Sequence, residues 1–149
     1  MTETSKQPLI AHIVVDDIAK ALEVYAKAFG AEEVFRMPMP DGNGHMHAEM
    51  HVNGAVVMLA EVNPQMGCTG PKQLGGSPVT LHLNVADVDT AFEQAVAAGC
   101  EVTMPVTDMF WGDRYGRIAD PFGHSWSLAT QVTEMTPEEI AEAAKTAFG

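Results

Sequence analysis

Basic residues are scarce: Lys and Arg total 8 against 20 Asp and Glu, a formal net charge of −12. A field of that sign repels phosphate backbones and anionic lipid surfaces, so neither nucleic acid nor a membrane is expected as a partner. A cationic small molecule would be tolerated, although acidic soluble proteins commonly gain only solubility from such charge. Cysteine is equally sparse. Cys68 and Cys100 have no metal-type spacing, and one pair makes no disulfide framework, which fits reduced thiols in a cytoplasm. No run of about 18 apolar residues occurs, and the opening "MTETSKQPLI" has no basic segment followed by an apolar stretch. We therefore expect neither export nor membrane insertion.

What the sequence does hold is repetition. With 149 residues, 46% of them hydrophobic, the chain can bury one well-cored domain or two small fused halves. "HIVVDD" at 12–17 returns as "HLNVAD" at 82–87, so that His12 falls on His82, Val15 on Val85 and Asp17 on Asp87. The segments that follow also match. Ile18, Leu22 and Tyr25 fall on Val88, Phe92 and Ala95, spacings of i, i+4 and i+7 that make one buried helical stripe in each half.

Each helix meets a small-residue stop, "FGAEEV" at 29–34 and "AGCEVT" at 98–103, where glycine can supply a left-handed C-cap. Turn regions rich in Met and Pro follow, then two alternating runs joined by Asn53-Gly54 in one half and by "DPFGH" in the other. The reading is a single α+β domain of two tandem βαβββ units, residues about 9–62 and about 78–131, forming a curved mixed sheet cup. A tail helix at about 136–148 starts with Thr136 as N-cap, Pro137 at N1 and Glu139 at N3, and reads as a packing or dimer-contact element.

The duplicated unit, "VVDDIAKALEVYAKAFGAEEV" and above all "DMFWGDRYGRIADPFGHSWSLAT" at 108–130, resembles the vicinal oxygen chelate superfamily, in its glyoxalase/bleomycin-resistance/dioxygenase-like branch. The likeness spans nearly the whole chain. It implies a concave small-molecule site and a homodimer, and, in the metal enzymes of the family, an octahedral divalent ion held by His and Glu on the first and last strand of each half. Those ligand positions fall here on Ile10, Met58, Thr80 and Ser127. A thioether and hydroxyls do not replace carboxylates around a hard octahedral cation, so no metal and no other cofactor is expected at them.

His12 and His82 lie two residues further along the same strands, hence on the same face, and should point into the cup. Each could simply hydrogen-bond a neighbour across the pseudo-two-fold. As functional groups they could bind a ligand or exchange protons without metal. The alternative is a displaced Zn2+ or Ni2+ ion on His12 and His82, with Glu49 or Glu61, serving a glyoxalase-like lyase or dioxygenase. Glu61, at odd spacing from Met58, should face away.

"GHMHAEMH" at 44–51 alternates His45, His47, Glu49 and His51 on one face of a strand. Same-face neighbours lie about 7 Å apart, so the face reads as solvated rather than as one metal site. Phe110 and Trp111 precede Asp113, Arg114 and Tyr115, and aromatics beside a charge pair can wall a pocket and orient a ligand; the bland reading is a packed loop with a surface Asp113–Arg114 pair. The candidate ligand-binding set is therefore His12, Met58, His82, Phe110, Trp111, Arg114 and Ser127, on a small-molecule binding protein or enzyme.

Overall fold

The computed structural model describes residues 7–149. Residues 1–6, part of the opening read as lacking an export signal, lie outside the described residues. Strand β1 (Ala11–Val15) runs into helix α1 (Ile18–Phe29) through Asp17, whose carboxylate accepts from the Lys20 backbone N–H at 3.1 Å. That bond satisfies one of the donors every helix leaves open at its start. Gly30 closes α1 at φ 69°, a left-handed conformation that costs glycine little. Strands β2 (Glu32–Pro38), β3 (His45–Val52) and β4 (Ala55–Glu61) complete the half. Between β3 and β4, Asn53 and Gly54 both take positive φ, 50° and 83°, the requirement of the tight hairpin turn expected there.

A linking segment with the short helix α2 (Pro71–Leu74) leads to the second copy: β5 (Thr80–Asn84), α3 (Val88–Ala97), β6 (Glu101–Asp108), β7 (Asp113–Ala119) and β8 (Ser125–Gln131). Asp87 caps α3 as Asp17 caps α1, accepting from the Thr90 N–H at 3.3 Å. The stop of α3 differs from the glycine cap expected: Ala98 is right-handed, and the left-handed turn falls on Gly99 at φ 109°.

The strands order as β1-β4-β3-β2 and β5-β8-β7-β6, with β1 parallel to β4, β5 parallel to β8 and the remaining neighbours antiparallel. These are the two mixed sheets of an α+β fold built from a repeated βαβββ unit. The halves are tied by bonds that share no ladder: Asn53 Nδ2 donates to the Asn84 carbonyl at 3.1 Å, Gln94 Nε2 donates to the Lys27 carbonyl at 2.9 Å, and His124 Nε2 donates to the Val14 carbonyl at 2.7 Å.

Alternation along the strands sends Ile13, Val15, Met50 and Leu59 against the α1 stripe of Ile18, Leu22 and Tyr25, all of them buried. In the second half Ile118, Trp126 and Leu128 meet Val88, Phe92 and Ala95. Close approach is needed at Gly116 on β7, where a Cβ would stand 2.7 Å from Phe92 Cε2. Helix α4 (Pro137–Phe148) forms with the expected capping box, Thr136 and Glu139 bonding each other's backbone. None of its residues is fully buried on its own chain. Its last side chain, Phe148, meets Phe110 edge-on at 5.4 Å.

Candidate functional site

Residues paired in register share a face, so the faces opposite the helices can be read strand by strand. In the first half one row crosses the sheet from His12 to Met58 to Glu49 to Phe35. His47, two residues before Glu49, stands on the same side, its ring edge-on to His12 at 5.4 Å and 5.8 Å from Phe35. Burial and the neighbouring His47 push the His12 pKa below its ordinary value, so His12 is neutral at pH 7. Glu49 is only 5% exposed, and its carboxylate lies 3.7 Å from His47 Nε2, beyond hydrogen-bond length. The stretch expected to be a solvated face is therefore the concave face itself, with a buried carboxylate in it. Glu61 turns the other way and accepts from the Ile18 N–H at 2.8 Å and the His45 N–H at 3.1 Å, a task Thr130 performs for Val88 at 2.8 Å in the second half.

In the second half the corresponding rows are Thr80–Ser125–Ala119, His82–Ser127–Arg117–Met104 and Asn84–Ala129–Tyr115–Thr107. His82 Nδ1 lies 2.7 Å from Ser127 Oγ and its Nε2 3.1 Å from Asn84 Oδ1. With the amide oxygen accepting, Nε2 carries a proton, and the serine hydroxyl pairs with Nδ1. Ser127 is 2% exposed, so its hydroxyl orients the imidazole rather than attacking anything. Arg117 Nη2 donates to Thr80 Oγ1 at 2.8 Å and to Ser125 Oγ at 3.3 Å. The Tyr115 ring lies along His82 with centroids 6.1 Å apart, and Trp111 stands edge-on to Tyr115 at 5.6 Å, its indole N–H donating to Asp113 Oδ2 at 3.1 Å.

The seven residues singled out from the sequence thus divide. Met58 is beside His12, and Ser127 holds His82. The two histidines themselves occupy separate halves, with no ring contact between them among the described residues. Trp111 borders the second half's concave face through Tyr115 and Asp113, whereas Phe110 turns to Trp111 and Phe148. Arg114 leaves the face altogether, and the Asp113–Arg114 pair does not form. Its Nε and Nη2 clamp Asp89 of α3 at 3.0 Å each while Nη1 reaches Asp108 at 3.2 Å. The arginine on the concave face is Arg117, which the sequence reading passed over. The signal was parity in "DRYGRIA": Gly116 and Ile118 are buried under α3, so Arg114 shares their side and Arg117 shares that of Tyr115.

At the positions that the family resemblance assigns to metal ligands, Ile10, Met58, Thr80 and Ser127 carry no carboxylate or imidazole, and Ser127 is committed to His82. Among the described residues no three His, Cys, Asp or Glu side chains converge as a metal site. The donor set does not fit the ion. Between β1 and β5 runs a cleft of about 370 Å³, walled by His12, Val14, Leu81 and His124 and by Pro71, Leu74 and Val79 of the linking segment. No described helix is long and apolar enough to cross a membrane.

Relatives share this architecture. An uncharacterized protein of Mycobacterium bovis is 50% identical over 139 residues, 91% of this chain and 90% of that protein. The X-ray structure of an Arabidopsis thaliana gene product superposes with a TM-score of 0.68 at 27% identity, over 83% of this chain and 98% of the other. TioX from Micromonospora sp. ML1 superposes with a TM-score of 0.66 at 24% identity, over 84% and 98% of the two chains, a likeness of fold. Residues 8–128, nearly all of the two repeats, match the Glyoxalase/Bleomycin resistance protein/Dioxygenase superfamily, and the chain belongs to it.

Proposed function

We propose that this protein binds a small organic molecule on its concave surface and does so without a metal at the superfamily's usual positions. The observation that carries this reading is the set Ile10, Met58, Thr80 and Ser127, which leaves a hard cation no carboxylate or imidazole at those four places. The concave surface offers instead two histidine-bearing rows, the Tyr115 and Trp111 rings and the adjoining cleft, the mixture of apolar wall and few polar groups that small-molecule sites use. The displaced-ion alternative on His12 and His82 has less support, because each histidine is held in its own half by different partners. Metal analysis of freshly purified protein after mild chelation should give well under one equivalent of Ni, Zn, Mn or Fe. One tightly held ion per chain would overturn the reading.

The working unit we infer is a symmetric homodimer. Among the described residues strands β2 and β6 are unpaired at their outer edges, β2 exposed throughout, and such edges are commonly covered by a second chain. Light scattering at micromolar concentration should return twice the chain mass; a monomer would contradict it.

A further inference from the structure

We propose that the second half's concave face binds the anionic head group of its ligand, a carboxylate or phosphonate, through Arg117. This rests on the reading of the concave surface as the ligand site and names the class of molecule it takes. The chain has three arginines. Arg36 is paired with Glu33 at 2.6 Å, and Arg114 with Asp89 and Asp108. Arg117 makes no ion pair among the described residues, although Asp and Glu total 20 in this chain. Its partners are the hydroxyls of Thr80 and Ser125, which fix the guanidinium plane without neutralising it. Its Nε is buried and has no hydrogen-bond partner among the described residues.

A rigidly held guanidinium lacking a counter-ion is preorganised for a planar or tetrahedral oxyanion, the geometry arginine matches best. The surroundings describe the rest of the ligand. Tyr115 and His82 stand on the same face as Arg117, their ring centroids 6.1 Å apart. An acid head at Arg117 with an aromatic or aliphatic body beside it fits both.

Amide NMR titration of the full chain with four probes tests this: benzoate and phenylphosphonate as the two anions, benzamide as the neutral counterpart and benzylammonium as the cation. Saturable shifts at residues 80–84 and 115–119 are expected with at least one anion, tighter than benzamide by about tenfold or more, the usual worth of a charge-assisted bond. Arg117→Gln should abolish that preference. Should Arg117→Gln not fold, Arg117→Lys, which keeps the charge but not the fork, should weaken the preferred anion. Equal binding of benzoate, phenylphosphonate and benzamide, tighter binding of benzylammonium, or unchanged anion binding in the folded variant would overturn the anion assignment and leave the ligand surface standing. No saturable shift on the concave face from any probe up to about 10 mM would overturn both.

Discussion

The Tyr25 hydroxyl donates to Asp120 Oδ2 at 2.6 Å, and the same carboxylate oxygen accepts from the Trp126 indole N–H at 2.8 Å. Oδ1 meanwhile accepts from the backbone N–H groups of Phe122 at 2.9 Å and His124 at 3.0 Å. One carboxylate, 5% exposed, thereby joins the first half's helix to the second half's last strand and shapes the turn between β7 and β8. The "DPFGHSW" segment at 120–126 is built around it.

Removing the acid from this cluster should cost more than removing any one donor. Asp120→Ala leaves the hydroxyl and the indole N–H unpaired in the core, and about 3–5 kcal/mol of lost stability is expected. Tyr25→Phe should cost about 1.5–3 kcal/mol, the usual value for a hydrogen bond to a charged group. Urea unfolding of both and of the double variant should show strong non-additivity; additive losses would mean the two side chains are not coupled.

Alkaline pH should destabilise the fold through two neighbouring groups. Burial and Asp120 hold the Tyr25 phenol well above its ordinary value of 10.0, and push the Cys100 thiol from 9.0 up to about 12. In both cases the fold favours the protonated form. The stability they contribute is therefore complete below about pH 9 and is lost as pH rises, between 9 and 12 for the thiol and from 10 upward for the phenol. Melting temperature measured from pH 8 to 11 should fall, and Cys100→Ala should flatten its first part. At pH 8 a thiol reagent should label Cys68, partly exposed, before buried Cys100.

The two repeated histidines should separate on substitution. His82→Phe leaves the buried Ser127 hydroxyl without its partner, and a loss of about 1–3 kcal/mol is expected. Among the described residues His12 gives up only a ring contact with His47, so His12→Phe should melt within a few degrees of the parent. Thermal melts read the difference. Equal losses would show that both residues are structural to the same degree.

Gly116→Ala should destabilise although it adds a single methyl group. The new Cβ would meet the Phe92 ring at 2.7 Å, inside a core where the ring is 8% exposed, and overpacking of this kind costs about 1–3 kcal/mol. Phe92→Leu in the same chain should recover part of the loss, and its failure to do so would place the strain in the backbone instead.

The repeat, the capped helices and their buried stripes were legible in the sequence, because each rests on local rules: a residue pattern with period 2 or 3.6, an aspartate before a helix, an Asn-Gly turn. Which face a residue takes was harder. His12, Met58 and Ser127 could be placed by counting along a strand, while Arg114 and Arg117 exchange roles on a shift of one parity step that only packing under α3 decides. Glu49 is a solvated strand residue by composition and a buried carboxylate beside His47 in the fold. The cluster on Asp120 and the bonds of Arg117 to Thr80 and Ser125 join residues from different elements, and such pairings exist only once tertiary structure brings their atoms within bonding distance. Local preference wrote the elements; their faces and their partners came from how the two halves close.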